Sequence, residues 1–216
     1  MSSAADAHGS SARRIRKWPA GAAAALALFA GPAGAHAIDP RIGDFYAGLL
    51  HPLTAFEHVL PIVALGLLTA QHGLRRSQLV LLLFPLAFAA GAWFSLEVPS
   101  LPAIFPINIF WAVLLGVLVA TAVSLPLPLL YAIAVGCALT HGYANGQAMT
   151  PESKAALFVL GLAVAAFLAL AYVVVCADFA LRQKARWLPV AIRVGGSWIA
   201  AIGILVLSLA HRAAVP

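Results

Sequence analysis

Two short polar segments stand out in an otherwise apolar chain. The first contains His51, Glu57 and His58, and the second contains His141 and Asn145. On a helix, residues four apart share a face, so His141 and Asn145 point the same way, while the adjacent Glu57 and His58 lie about 100° apart. Imidazole, carboxylate and amide groups together suit a borderline divalent ion such as nickel, cobalt or zinc. The same groups could equally form a proton relay.

His51 and His58 cannot reach one ion from a straight helix. Their spacing corresponds to about 10 Å along the helix axis, while metal–nitrogen bonds are about 2 Å long. Because His51 precedes Pro52, it is expected in a first helical turn or in a loop that folds back. Pro61 cannot donate a hydrogen bond to the carbonyl of Glu57, so a kink is expected there, with a free carbonyl oxygen beside the polar side chains.

The composition indicates the elements that must hold these residues. The 216-residue chain is 63% hydrophobic and 9% charged, and its mean hydropathy is +0.98. Soluble domains are about half apolar and a quarter charged, so too few charges remain here to coat a soluble surface. The continuous apolar runs and the two Cys exclude disorder and a disulfide framework. The chain is therefore predicted to be an all-α, polytopic membrane protein.

The first 37 residues have the three parts of a secretory signal peptide. A basic segment is followed by a short apolar run over 20–30 and by Ala35-His36-Ala37, which fits a small-x-small cleavage site. An uncleaved transmembrane helix is the alternative, but the run is shorter than the roughly 20 residues of a span. We predict a cleavable signal peptide over 1–37 and a transmembrane domain over 38–216.

Six transmembrane helices are predicted after the signal peptide, each of about membrane length. Their approximate ranges are 48–71, 77–96, 106–123, 126–144, 153–181 and 190–210. Signal cleavage would leave both the mature N-terminus and the C-terminus external to the cytoplasmic (inner) membrane of a bacterium. Basic residues then fall mainly on the cytoplasmic side, as the positive-inside rule requires. Those expected inside are Arg75, Arg76, Arg182, Lys184, Arg186 and Arg193, and those outside are Arg41, Lys154 and Arg212.

The basic residues form separate clusters between apolar spans, so the net charge of +6 does not indicate nucleic-acid binding. In the predicted topology both polar segments lie at external helix ends, and ionisable residues in lipid are costly enough to be functional candidates. Gly142 and Gly146 form a small-xxx-small pair that allows a neighbouring helix to approach closely. His72 and His211, at a loop and near the C-terminus, are expected to be structural.

The stretch from His51 to His58, followed by an apolar helix with Gly66, resembles the first signature of the HupE/UreJ family: a His, five residues, a carboxylate and a His. The segment from His141 to Gly146 is similar to the second, His-Gly-x-Ala-His-Gly-x-Glu. The resemblance covers essentially the whole chain. Members of this family are hydrogenase- and urease-associated membrane proteins, and some are nickel permeases. The resemblance implies that His51, Glu57, His58 and His141 take part in metal recognition.

Three positions depart from the family pattern. Glu57 stands where the family usually has Asp, Asn145 replaces the second His of the second signature, and Ala148 replaces its closing Glu. Asn145 can still offer a carbonyl oxygen, and Gln147 or Glu152 could substitute for the lost carboxylate. These changes predict weaker binding or a preference for a harder ion.

The expected function is a secondary or channel-like permease for a divalent metal, since no nucleotide-binding P-loop occurs in the sequence. Nickel is the expected ion, with cobalt or zinc as alternatives, and no tightly bound cofactor is expected. The ion would supply a metalloenzyme such as hydrogenase or urease, whose maturation proteins are candidate partners. A non-transporting accessory protein is the second hypothesis. A membrane-embedded metal-dependent hydrolase is the third, although His-Glu-x-x-His is absent and no enzymatic activity is expected.

Overall fold

A computed structural model describes residues 43–98, 101–183 and 185–214, which lie in one compact unit. Every regular element in these ranges is a helix, as the sequence predicts, whereas the predicted signal peptide lies outside the described residues. The elements are α1 (Asp44–Leu50), a 3-10 turn (His51–Leu53), α2 (Phe56–Gln71), α3 (Leu74–Ser77), α4 (Val80–Glu97), α5 (Ile104–Thr121), α6 (Leu127–Gly146), α7 (Ala155–Arg182) and α8 (Leu188–Ala214).

Five segments of the described chain are long and apolar enough to cross a membrane. They are Leu74–Phe94, Ile104–Thr121, Leu127–Gly146, Ala155–Arg182 and Leu188–Arg212. The sixth candidate is a bent pair, Asp44–Leu53 and Phe56–Gln71, whose two parts meet at 73°. The six predicted spans therefore correspond to these five segments and to this bent pair, which is long and apolar enough to cross a membrane only when its two parts are taken together.

The predicted continuous helix over 48–71 is wrong, because the chain breaks between the 3-10 turn and α2. The N–H and the hydroxyl of Thr54 both donate to the carbonyl of His51, at 3.1 and 2.7 Å, which closes a tight turn and ends the helix. Ala55 is extended, with φ −123° and ψ 130°, and α2 starts at the next residue. The sharp bend thus precedes Phe56, while α2 continues through Pro61.

Helices α4 and α6 run in the same direction and pack at a glycine contact. A Cβ atom at Gly142 would overlap the backbone of Phe88, and one at Gly146 would overlap that of Ala92. The predicted small-xxx-small contact is therefore confirmed, and it fixes the end of α6 that carries His141.

The broken span is held by its neighbours on both sides of the bend. The backbone of α1 lies directly against α7 at Gly48 and Gly161, and the carboxylate of Asp44 accepts the N–H of Lys154 at 3.1 Å. At the far end of α2, the amide of Gln71 donates to the carbonyl of Val119 in α5 at 3.1 Å. The polar start of α2 is consequently positioned between α5, α6 and α7.

Candidate functional site

A recess of about 290 Å³ lies where the start of α2 meets the start of α5 and the end of α6. Apolar residues of α5 and α6 form part of its wall. Its polar lining comes from the first predicted segment (His51, Glu57 and His58), from Asn108 of α5, and from Gln147, which follows the second segment. Ala148 also lines the recess, whereas His141 and Asn145 do not.

His58 and His141 meet beside this recess although 83 residues separate them in sequence. Their Nδ1 atoms are 3.4 Å apart, and the two rings are nearly perpendicular at 88°. His58 is 5% exposed and His141 is fully buried. The structure thus brings together the polar segments of α2 and α6, as expected from their similar depth.

Glu57 connects this buried pair to the open side of the recess. Its Oε1 atom lies 3.7 Å from Nε2 of His58, and its side chain is 40% exposed. Nδ1 of His58 faces His141 and its Nε2 faces Glu57, so the two ring nitrogens of His58 contact different side chains. Glu57, His58 and His141 form a row that leads from an exposed carboxylate to a buried imidazole.

His51 joins the group because the span is broken. Its ring centroid lies 6.4 Å from that of His58 and 6.2 Å from that of Phe158 on α7. A straight helix would separate His51 and His58 by about 10 Å along its axis. The expectation that His51 belongs to a segment that folds back is therefore confirmed.

Asn145 is near His141 in the chain but is not part of the recess lining. Its Nδ2 donates to the carbonyl of His141 at 2.8 Å, one turn earlier in the same helix. Of the two residues considered as substitutes for the lost carboxylate, Gln147 lines the recess, whereas Glu152 is exposed and is not among the lining residues. Ala148, at the position of the family's Glu, does line it.

Asn108 is the site residue that the sequence analysis missed. It is 3% exposed and lines the recess, and its Nδ2 lies 3.4 Å from the carbonyl of Thr140, the residue before His141. The sequence contains one indication of this residue, because Asn108 has the only amide side chain in the apolar helix α5. A polar side chain inside a membrane helix needs a partner on another helix or a function.

Two polar atoms at this site have unused coordination capacity. Nε2 of His141 and Oδ1 of Asn108 are buried and form no hydrogen bond with described residues. Buried polar atoms in proteins nearly always have a partner, which can be a water molecule or an ion. Within residues 43–98, 101–183 and 185–214, no three His, Cys, Asp or Glu side chains are arranged to hold a metal. The described residues therefore do not form a closed structural metal site, which would need four protein ligands.

His72, by contrast, has a structural role. Its Nδ1 donates to the carbonyl of Leu68 at 2.8 Å, and its Nε2 accepts the N–H of Leu125 at 2.9 Å. Both ring nitrogens are engaged, so His72 joins the end of α2 to the segment before α6. The expectation of a structural role is confirmed for this residue.

Comparisons with known proteins agree with the motifs. The sequence model of the family described as HupE / UreJ protein matches residues 24–206. Protein HupE of Rhizobium leguminosarum bv. viciae is 34% identical over 142 residues, which cover 65% of this chain and 74% of that protein. No solved structure matches the chain.

Proposed function

This chain belongs to the HupE/UreJ family, and on that basis we propose that it is a multi-pass membrane permease for a divalent metal ion, with nickel as the transported ion. The observation that carries the proposal is the buried His58–His141 pair behind the exposed carboxylate of Glu57. The ion would serve a metalloenzyme such as hydrogenase or urease. Transport would be secondary or channel-like, because the sequence contains no P-loop.

The proposed binding step begins at Glu57, whose carboxylate attracts a hydrated cation into the recess. The ion then exchanges water for imidazole nitrogen from His58 and His141 and for amide oxygen from Asn108. Nitrogen and oxygen donors of this kind suit nickel, cobalt and zinc. A transported ion must bind strongly enough to enter and weakly enough to leave, which an incomplete ligand set provides.

A non-transporting accessory role in metalloenzyme maturation is the second candidate. It is favoured by the two family ligands that this chain lacks, since Asn145 bonds to its own helix and Ala148 offers no donor atom. Wild-type protein should distinguish the two functions in host cells without a hydrogenase or urease. A permease raises nickel uptake in such cells, whereas an accessory protein leaves it at the level of the empty vector.

The ligand assignment is tested by His58→Ala, His141→Ala and Glu57→Gln in a host that lacks its own nickel uptake. Each substitution removes one donor, and the loss of about 1.4 kcal/mol or more lowers the initial uptake rate at least about tenfold at limiting nickel. The matched controls are His211→Ala and Glu152→Gln, which remove the same groups at exposed positions outside the recess. Undiminished uptake by well-expressed site variants would contradict the assignment.

A further inference from the structure

A second recess lies at the opposite end of the same three helices. It has a volume of about 450 Å³ and is formed by Gln71 and His72 at the end of α2, Arg76 of α3, and the 122–127 segment that joins α5 to α6. Both recesses therefore lie between α2, α5 and α6, one at each end. Nothing in the family signatures involves this second recess.

The two recesses are closed to each other by apolar packing. Along α2, the distance from His58 to Gln71 corresponds to about 20 Å. Between these levels the three helices contribute fully buried side chains to one hydrophobic cluster, including Leu68, Leu115 and Cys137. An ion could pass only when these helices move, as in alternating access.

Polar atoms without partners are concentrated on these same helices. Five buried side chains have a nitrogen or oxygen atom that forms no hydrogen bond with the described residues. All five belong to α2, α5 or α6, the three helices that line the first recess and whose other ends lie at the second. Since buried polar atoms need partners, water or an ion that enters when these helices move apart would supply them for several at once. The side chains are Gln71, Asn108, Trp111, His141 and Asn145.

The charges of the two recesses differ in sign. The first holds the carboxylate of Glu57 beside imidazoles, which attracts a cation. The second holds the guanidinium of Arg76, and none of its described lining residues is an Asp or Glu. Gln71 offers a buried Oε1, but both ring nitrogens of His72 are already engaged. The first recess therefore attracts a cation, and the second repels one.

We infer that the recess at Gln71 and Arg76 is the site from which the ion leaves the protein, at the far end of a path between α2, α5 and α6. This inference rests on the proposed permease function. Arg76 lowers the residence time of a cation that has reached Gln71, so the charge difference between the recesses promotes release. The positive-inside rule predicts that this end, which carries Arg75, Arg76 and Arg193, is cytoplasmic.

Arg75 and Arg76 provide a matched test, because both are exposed residues of α3 and only Arg76 lines the recess. Arg76→Glu should retain the cation and lower the initial rate of nickel uptake by at least about threefold. Arg75→Glu makes the same change in net charge and in the number of basic residues at this end. Its initial rate of nickel uptake should remain within about twofold of the wild-type rate. Equal rates for two equally expressed variants overturn the inference.

A second measurement does not depend on charge. Ser124→Cys, in a background with Cys137→Ala and Cys176→Ala, places a thiol on the exposed lining of the recess. Its N-ethylmaleimide adduct should block most uptake, whereas the same adduct on Gln183→Cys, outside the recess, should not. Equal effects on both variants overturn the inference. Absence of uptake by wild type overturns the permease proposal itself, which distinguishes the two failures.

Discussion

The His58–His141 pair is formed by two residues that differ in how they can respond to an ion. His58 has Glu57 near one ring nitrogen and His141 near the other, so its ring is oriented from both sides. His141 is fully buried, and its Nε2 has no partner among the described residues. Between two neutral rings, the Nδ1–H of one can donate to the Nδ1 of the other across this 3.4 Å contact. His58 is thus the accessible member of the pair, and His141 supplies the buried end.

Ala148 and Asn145, the two departures from the family's second signature, differ in position relative to the recess. We predict that Ala148→Glu alone strengthens nickel binding by about tenfold, because its carboxylate would enter the recess that already holds Glu57 and His58. Asn145→His alone should change binding by less than about threefold, since position 145 is directed to its own helix. Titration of purified protein with Ni²⁺ measures both affinities.

Thr150→Glu is the control for Ala148→Glu, because it adds the same charge at an exposed position just beyond the recess. If Thr150→Glu strengthens binding as much as Ala148→Glu, the gain comes from the general field of the added charge. The assignment of position 148 to the ion site would then be wrong.

At the scale of the elements, the contact between α4 and α6 fixes the position of the end of α6 that carries His141. We predict that Gly142→Ala lowers the melting temperature in detergent, because its Cβ would overlap the backbone of Phe88 and overpacking costs about 1–3 kcal/mol. Gly195→Ala in α8 is the matched control. Its Cβ would meet only Cδ1 of Leu67, at 3.9 Å. Its melting temperature should be unchanged or higher, since Ala favours a helix by about 1 kcal/mol. Equal melting temperatures would contradict the close packing.

The sequence predicts the helices well and their interruption less well. Hydropathy over about 20 residues identifies α4 to α8, because lipid requires long apolar runs. It also merges α1 with α2, since a break made by the hydrogen bonds of Thr54 leaves no gap in hydropathy. The kink was predicted at Pro61 because the missing N–H of a proline can be read directly from the sequence. The actual bend depends on a turn that closes locally and on α7, against which α1 packs.

The candidate site was predictable in part for a similar reason. His51, Glu57, His58 and His141 are exceptional residues in an apolar chain, and they meet where the order of the helices places them. Helical spacing places Asn145 on the face of His141 but cannot show that its Nδ2 donates to the carbonyl of His141, and its role as a metal ligand stays a prediction. Asn108 required knowledge of which helix lies opposite, which no local pattern contains.

At the scale of the whole molecule, the basic residues are divided unequally between the two ends of the helix bundle. The hydroxyl of Tyr131 donates to the carbonyl of Arg76 and joins α6 to α3, and Nε of Arg193 donates to the carbonyl of Ala120 and joins α8 to the end of α5. Among the described residues, Arg75, Arg76 and Arg193 belong to this end, and Lys154 lies at the start of α7, beside α1. The charge pattern therefore follows the alternation of the helices.

We predict from this alternation that the C-terminus is external, on the same side as the His58–His141 pair. Alkaline phosphatase, which folds to its active form only outside the cytoplasm, should be active when fused after Pro216. The matched fusion after Gln183, at the predicted cytoplasmic end of α7, should be inactive, because one fewer span precedes it. An inactive fusion after Pro216 together with an active fusion after Gln183 would show that the topology is the reverse of the predicted one. The recess with Glu57 would then face the cytoplasm, and the recess with Arg76 would face outward, so a cation would be bound on the inside and released outside.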